Sequence, residues 1–482
     1  MQGASRVHRM FDKAFLDLLE QTIEKKHIFL SHALGCRRFS ADMDGIYRRW
    51  DEFIRRADTE SLQGVQLYIN FPFCYQSRCA YCMYKSNVIK SCSEDIFIVY
   101  LNKIHEALNF FKPIFKGVKL RNLYIGGGTP SLLSEKQIDA LLYKVFSSYS
   151  FGENAEKTFE NSPSTCTREK IRIYQRYGIN RVSLGVQSLK ARVLKLNNRR
   201  YVPFEHIQSL VDSCKQAGIA HVNADLMAGI RGQNASYLIE DFEKLYSTPV
   251  DSVIVYIQRF LSNNTRNAGN PGAVAAPDII SELQRQGKEQ VRALLKIHPN
   301  KTGFPKEDNH FFKGIPWMTQ YRTNGLSERK ISTLGIGSSA ISFIRTGLLY
   351  RQSPDVLVHW FKKRKIFQAT AFTRTEQRAA YLRFCLYNTH QVCFSRYRSF
   401  FGDECAKTFK KNIVFLTRNK FIRLTREGLA LTPLGIEKNF FVQYLFYPKK
   451  TIMKNLILPQ GIEETEKPRK VRKGIGKNSL KK

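Results

Sequence analysis

The sequence has no apolar run that approaches the roughly 18 residues a membrane-spanning helix needs. Residues 1–26 place charged side chains among the apolar ones, so they lack the continuous apolar core of a secretory signal peptide. Acidic side chains are also scarce, with 41 Asp and Glu against 77 Lys and Arg. The first two absences argue against membrane-spanning and secreted proteins, and we expect a cytoplasmic location and no membrane span.

The shortage of acidic residues leaves a formal net charge of +36 at pH 7. Such a charge favours encounter with anionic small molecules or polyanions. A basic surface that only keeps the protein in solution explains the charge equally well. Residues 460–482 are predicted to form a basic, disordered tail. No other segment indicates a nucleic-acid-binding motif, so we do not expect a nucleic-acid partner.

Cysteine is rare, with ten residues in 482, yet three of the ten lie within "CYQSRCAYC". These are Cys74, Cys79 and Cys82. In a reducing compartment, such a group indicates metal binding or catalysis more than disulfides. Three thiols are one short of a closed zinc site, whereas three thiolates can hold a [4Fe-4S] cluster with one open iron. A structural zinc site and unrelated core cysteines remain alternatives.

Short β-branched and aromatic runs alternate with segments of helix length through the middle of the chain. The runs are "VQLYINF" (65–71), "RNLYIGG" (121–127), "KTFENS" (157–162), "NRVSLGV" (180–186), "AHVNADLMAG" (220–229) and "DSVIVYI" (251–257). This alternation predicts an α/β fold with a parallel sheet. Six units suit an incomplete barrel or a doubly wound sheet, and periodicity does not choose between them.

Polar and glycine features follow these predicted strands, where ligands collect in either architecture. The glycines of "GGGTP" (126–130) expose backbone groups to close approach. Glu160 is suited to ribose hydroxyls, and Arg199 to a carboxylate. Gln187 and Asp225 could bind a further polar ligand. Taken singly, Gln187, Arg199 and Asp225 are each more often structural than functional, and Glu160 could instead form an ion pair at the sheet rim.

The flanking regions predict different units. Residues 1–63 are predicted to be a helical segment, and residues 64–345 the core with an extension. Residues 370–447 show helix, helix and a hairpin turning at Glu427-Gly428, an order typical of a small winged-helix-like domain.

Several motifs occur together in the order found in one known family. They are "YINFPFC…CAYC", "YIGGGTPS", "FENSP", "NRVSLGVQS", "VNADLMAG" and "LGIGSSAIS". In this set the sequence resembles radical S-adenosylmethionine (SAM) enzymes of the HemN type, the oxygen-independent coproporphyrinogen III oxidases and their relatives. The resemblance runs from about residue 65 to 345 and implies a partial (β/α)6 TIM-type barrel.

The resemblance also implies roles for individual residues. Cys74, Cys79 and Cys82 would ligate a [4Fe-4S] cluster. The family's contacts to the SAM that is cleaved match Tyr68, Gly127, Glu160 and Ile341. The oxidase and some relatives bind a second SAM, and the contacts to it match Tyr81, Gly128, Thr129, Gln187, Arg199 and Asp225. The family's usual spacing is C-x3-C-x2-C, whereas this chain has one more residue between its first two cysteines.

The implied reaction is reductive cleavage of SAM to methionine and a 5′-deoxyadenosyl radical, which abstracts hydrogen from a substrate. A tetrapyrrole is the implied substrate, as in coproporphyrinogen III oxidation, and flavodoxin or ferredoxin the implied electron donor. We expect a monomer. Alternatives from the same resemblance are a methyltransferase, a haem-degrading enzyme and a haem-binding protein.

Overall fold

The computed structural model describes most of the chain between residues 13 and 452. The described ranges are 13–26, 37–56, 64–82, 86–89, 94–258, 277–298, 308–312, 332–344, 347–351 and 367–452. The predicted basic tail, residues 460–482, lies outside them.

The helices and strands are numbered in chain order. The helices are α1 (Lys13–Lys26), α2 (Met43–Arg56), α3 (Glu94–Phe111), α4 (Glu135–Ser148), α5 (Arg168–Arg176), α6 (Ala191–Leu196), α7 (Phe204–Gln216), α8 (Ala235–Ser247), α9 (Pro277–Ile297), α10 (Arg374–Thr389), α11 (Phe394–Phe401), α12 (Cys405–Thr408), α13 (Lys410–Arg418), α14 (Pro433–Glu437) and α15 (Asn439–Tyr444). The strands are β1 (Arg37–Ala41), β2 (Val65–Phe71), β3 (Phe73–Tyr75), β4 (Asn87–Ile89), β5 (Lys119–Gly127), β6 (Ser150–Asn161), β7 (Arg181–Gln187), β8 (His221–Ala228), β9 (Ser252–Ile257), β10 (Asp308–Phe312), β11 (Ser332–Ile336), β12 (Ile341–Ile344), β13 (Leu348–Arg351), β14 (Phe367–Ala371), β15 (Gln391–Cys393), β16 (Ile422–Leu424) and β17 (Gly428–Leu431).

The main sheet contains a run of parallel strands in the order β11-β2-β5-β6-β7-β8-β9. Helices follow its strands as crossovers, which is the arrangement of a partial barrel. All six predicted strands are confirmed. A seventh parallel strand, β11, was not predicted and pairs with β2.

Antiparallel strands extend the sheet at both ends. Strand β10 pairs with β9, and β12, β13, β14 and β1 continue beyond β11. Strand β1 lies inside residues 1–63, which we predicted as helical. Strand β1 pairs with β14, which lies more than 300 residues further along the chain. The strand therefore depends on a partner that is distant in the sequence.

Within each barrel strand, alternate residues face opposite sides, as the pleat requires. Apolar residues such as Leu67 and Ile69 belong to the large core shared with the helices. Many of the residues between them are polar, and several of these bond to one another across strands. Gln66 Nε2 donates to Thr333 Oγ1 at 2.7 Å, and Ser252 Oγ donates to Asn223 Oδ1 at 2.7 Å. The barrel interior is therefore lined by polar side chains.

The C-terminal unit has its own hydrophobic core. Its three-stranded sheet has the order β15-β17-β16, with α10 to α13 placed around it, as in winged-helix folds. Phe15 and Leu19 of helix α1 are buried in this core. Helix α1 therefore packs with the C-terminal unit. The boundary of 370–447 remains a prediction.

Candidate active site

The three cysteines lie directly after strand β2, on β3 and the loop that follows it. All three are free thiols and half-buried. Burial raises the pKa of Cys74, and hydrogen bonds from Ser86 and Thr129 oppose this rise. Cys82 N donates to Cys79 O at 3.0 Å, which closes a tight turn between the second and third cysteines. The loop thus presents three thiols at the carboxyl end of a barrel strand.

The additional residue of the cysteine loop is accommodated as a bulge. Gln76 has φ of +61°, in the left-handed region. Its N–H donates to Ile89 O at 2.9 Å, and Ser77 N donates to Tyr75 O at 2.7 Å. Residues 75–77 are exposed, so the lengthened part of the loop points away from the core.

Arg199 lies beside the cysteine loop. Its Nη1 donates to Cys79 Sγ at 3.6 Å, and its Nη2 donates to Gly185 O. The Gly185 carbonyl is accessible because the register of β7 against β8 shifts between Gly185 and Gln187. A Cβ at position 185 would lie 3.3 Å from Arg199 Nη2, so a glycine suits this close approach.

One predicted ligand contact near Arg199 carries a buried polar atom without a hydrogen-bond partner among the described residues, Oε1 of Gln187. The Tyr81 hydroxyl is buried beside Arg199 and Cys79, which both interact with it. Burial raises the pKa of Tyr81, which the neighbouring Arg199 opposes. Gln187 has φ of +72°, a strained conformation that often accompanies functional sites. Buried polar atoms usually have partners, so Oε1 of Gln187 indicates a ligand or ordered water at this end of the barrel.

Glu160, near the end of β6, is held by two donors from the neighbouring strand β5. Gly127 N donates to Glu160 Oε2 at 3.1 Å, and the Tyr124 hydroxyl donates to Oε1. Burial raises the pKa of Glu160, and the bonds from Tyr124 and Gly127 oppose this. The carboxylate is thus fixed in orientation at the barrel opening.

Tyr68 and Gly127 both lie next to the side chain of Asn70. The Tyr68 hydroxyl donates to Asn70 Oδ1 at 2.8 Å, and Asn70 Nδ2 donates to Ser338 O at 2.6 Å. Gly127 has φ of +120°, and a Cβ there would collide with Asn70 Oδ1. Only glycine therefore fits at this position.

The remaining predicted residues are less closely connected. Asp225 accepts from Ser183 Oγ at 3.0 Å and from Asn223 Nδ2 at 2.7 Å, and its charge contributes to the raised pKa of Glu160. Gly128 N donates to Phe71 O at 2.8 Å. Ile341 begins β12, and its carbonyl lies close to Gly335, which pairs with Tyr68.

The structure therefore brings most of the predicted residues to one end of the barrel in three groups. The first is Cys79 with Tyr81, Gln187 and Arg199, the second Glu160 with Gly127, and the third Cys74 with Thr129. Their roles as ligands stay predictions.

Sequence reasoning missed Tyr124 and Asn70, which orient Glu160 and Tyr68. A signal was present in the strand periodicity. Asn70 is two residues after Tyr68, and Tyr124 two residues before Gly126, so each points to the same side of its strand as the motif residue. Partners of this kind can be found by extending a motif along the alternate positions of its strand.

Comparison with known proteins identifies the family of this chain. A model described as the radical SAM superfamily matches residues 68–245. A protein of Lactococcus lactis named heme chaperone HemW is 30% identical over 385 residues, which cover 78% of this chain and 96% of that protein. The chain belongs to the HemN-like radical SAM family. The cofactors of this family are a [4Fe-4S] cluster and SAM.

Two further similarities concern extent and fold. A Haemophilus influenzae protein named heme chaperone HemW is 31% identical over 230 residues, 47% of this chain. The chain spans 59% of that relative's length. The structure of HemN, the coproporphyrinogen III oxidase of Escherichia coli, matches with a TM-score of 0.69 at 19% identity, over 83% of this chain and 93% of that one. This second match shows the HemN-like fold.

The residues present fit the family's cofactors by their chemistry. The cysteine loop has three free thiols, the ligands that a [4Fe-4S] cluster takes, and the nearby Gln187 leaves a buried oxygen without a partner among the described residues. In the described residues, no three His, Cys, Asp or Glu side chains are arranged around one metal-ion position, and this includes the three thiols of the loop. No helix of the described ranges is long and apolar enough to cross a membrane.

Proposed function

We propose that this chain is a radical SAM enzyme that binds a [4Fe-4S] cluster through Cys74, Cys79 and Cys82 and acts on an anionic tetrapyrrole. The observation that carries the proposal is that the three-cysteine loop, the Arg199 guanidinium and the fixed Glu160 side chain all lie at one end of the barrel. When bound, the cluster supplies the electron that cleaves SAM reductively.

The chain's own residues bind and orient the ligands. Glu160, held by Tyr124 and Gly127, offers carboxyl oxygens as acceptors for the ribose hydroxyls of SAM. Tyr68 is fixed by Asn70 beside it, where its ring can border the same ligand. The unpaired oxygen of Gln187 and the adjacent Tyr81 are available to a second polar ligand, with Arg199 for its carboxylate. Ile341, Gly128, Thr129 and Asp225 complete the proposed set.

The proposed substrate is supported by the positive charge of the chain and by the name of a protein with the same fold. Propionate groups on a tetrapyrrole are anionic, and a net charge of +36 attracts anions. The Escherichia coli protein of the same fold is named as coproporphyrinogen III oxidase. We propose oxidative decarboxylation of such propionates, with flavodoxin or ferredoxin as the electron donor and a monomeric, cytoplasmic enzyme.

The test is an anaerobic reconstitution with iron, sulfide, SAM and dithionite, offering coproporphyrinogen III and haem in separate reactions. We expect about four irons per chain and release of 5′-deoxyadenosine. Cys79→Ser should abolish both, while Cys393→Ser, a free cysteine of the C-terminal unit, should preserve both. A wild-type chain with a full cluster and no turnover of SAM would contradict the enzyme proposal.

A second candidate is a haem-binding protein, and the names of the relatives favour it. Both the Haemophilus influenzae and the Lactococcus lactis proteins are named heme chaperones. A Soret band on titration with haem, together with a reconstituted cluster that leaves SAM intact, would support this function. Formation of a decarboxylated porphyrinogen would instead support the oxidase, and a methylated product a methyltransferase.

A further inference from the structure

The cysteine loop lies against a turn that is more than 100 residues away in the sequence. Ala80 N donates to Asn197 O at 3.1 Å, and Ser77 Oγ donates to Asn198 O at 2.9 Å. Arg199, the next residue of the turn, contacts Cys79 as described above. Three successive residues of the turn thus each contact the loop, and two of the contacts use only backbone acceptors on the turn.

The turn is fixed by the barrel independently of the cysteine loop. Asn197 is 1% exposed, and its Nδ2 donates to Val193 O at 2.8 Å and to Arg231 O at 2.9 Å. Its Oδ1 accepts from Arg231 N at 3.3 Å. One side chain therefore joins helix α6 to the segment after β8, which are both parts of the barrel. These bonds hold the turn without any contribution from the cysteine loop.

The contact of Ser77 belongs to the lengthened part of the loop. Gln76, with its left-handed φ of +61°, reverses the chain direction just before Ser77. Ser77 is exposed, and its side-chain hydrogen bond to Asn198 O joins the loop to the turn. The first gap of the cysteine loop thus carries a tether two residues before Cys79.

We propose that residues 197–199 form a docking turn that positions the cysteine loop, and that Ser77 is the anchor by which the lengthened loop is held to it. Ser77 and Asn197 are positioning residues, since they act through the backbone on the placement of Cys79. The proposal rests on the proposed function only in taking Cys79 as a cluster ligand. The docking itself is a property of the chain without cofactor.

The main test measures how fast each cysteine of the apo chain reacts with iodoacetamide, read by mass spectrometry for each peptide. Ser77→Ala should make Cys79 react about three- to tenfold faster, the range expected when one hydrogen bond is lost. Cys74, held in β3, should keep its rate and serve as an internal control. Ser77→Thr, which retains the hydroxyl, should restore the wild-type rate.

A matched control lies on the other side of the same hydrogen bond. Asn198→Gly keeps the acceptor carbonyl, and glycine readily adopts the φ of +55° found there. Its Cys79 rate should equal that of the wild type. An unchanged Cys79 rate in Ser77→Ala would overturn the proposal, and so would an equal acceleration of Cys74, because that would mean general loosening.

A second readout uses the reconstituted protein. Iron should pass to a chelator about three- to tenfold faster from Ser77→Ala than from wild type, and the EPR spectrum of its reduced cluster should broaden. Unchanged release and an unchanged spectrum would contradict a role in holding the cluster. If the wild-type chain takes up no cluster, the proposed function fails, while the alkylation rates still decide whether the turn positions the loop.

Discussion

Glu160 shows how a single residue can be prepared for its ligand before the ligand binds. Its carboxylate is buried enough for its pKa to be raised, yet Tyr124 and Gly127 donate to it and hold the pKa down. A charged acceptor in a poorly solvated site makes stronger hydrogen bonds than the same group in water. The neighbouring strand therefore fixes the orientation of this carboxyl group and opposes the rise of its pKa.

Tyr124→Phe should shift the pH dependence of SAM binding. Without the Tyr124 donor the pKa of Glu160 rises further, because one bond that lowers it is lost. At a given pH a larger fraction of the Glu160 side chains is then protonated, and the protonated oxygen cannot accept from a ribose hydroxyl. Affinity should fall as pH decreases, and the fall should begin at higher pH in the variant, with binding roughly two- to tenfold weaker near pH 6. Titration calorimetry from about pH 8 to about pH 5 measures this.

The control for this experiment is Tyr149→Phe. Tyr149 is also buried, but its hydroxyl donates to Leu108 O at 2.8 Å, so the pKa of Glu160 should be unaffected. Identical pH profiles for Tyr124→Phe and wild type would contradict the assigned role of the Tyr124 hydroxyl.

At the residue scale, the sequence indicated which residues belong to the candidate site, but it did not indicate which of them contact one another. Cys74 stands out because it belongs to a group of three cysteines in a chain with few of them, and Glu160 because it belongs to a set of motifs that occur together in the family's order. The contact between Arg199 and Cys79 joins residues 120 positions apart, and it depends on the shift in β7 at Gly185. Local patterns do not contain that information.

Among the elements, the sequence predicted those whose pattern is local. Helix α4 begins after Ser134, whose hydroxyl and Gln137 form the reciprocal hydrogen bonds of a capping box. Strand β11 was missed because "LGIGSS" is short and rich in glycine, without clear alternation. It is a strand because β2 offers it a parallel partner, from Val65 to Ile69. Such elements are defined by tertiary pairing more than by propensity.

The attachment of helix α2 to the sheet gives a prediction at this scale. Trp50 is fully buried, and its Nε1 donates to the Tyr350 hydroxyl on β13 at 2.9 Å. Trp50→Phe removes both the donor and part of the packing, so the free energy of unfolding should fall by about 2–4 kcal/mol. Chemical denaturation followed by circular dichroism measures the change.

Tyr350→Phe and the double variant test whether the hydrogen bond contributes. The loss in the double variant should be smaller than the sum of the single losses by about 1 kcal/mol, since each single change removes the same bond. Strict additivity would show that helix α2 is held by packing alone, for example through the contact of Trp50 with Phe115 at 5.6 Å between ring centroids.

On the scale of the whole molecule, the charge should govern how fast an anionic substrate arrives. Association of coproporphyrin III, followed by stopped-flow fluorescence, should slow several-fold between about 50 mM and about 500 mM salt, because screening shortens the range of attraction. The tetramethyl ester of the same porphyrin carries no propionate charge and should show little dependence on salt. Equal dependence for both ligands would contradict steering by the +36 charge.

The place of helix α1 has a consequence for the synthesis of the chain. Its Phe15 and Leu19 complete a core whose other residues include Val442 of α15, and Glu20 Oε1 accepts from Lys438 Nζ at 2.7 Å. Asn439, the first residue of α15, follows Lys26 by 439 − 26 = 413 residues. At about 5–20 residues per second, the ribosome needs about 20–80 s to make that stretch. The core that contains Phe15 and Leu19 is therefore completed only after the entire barrel has been synthesised.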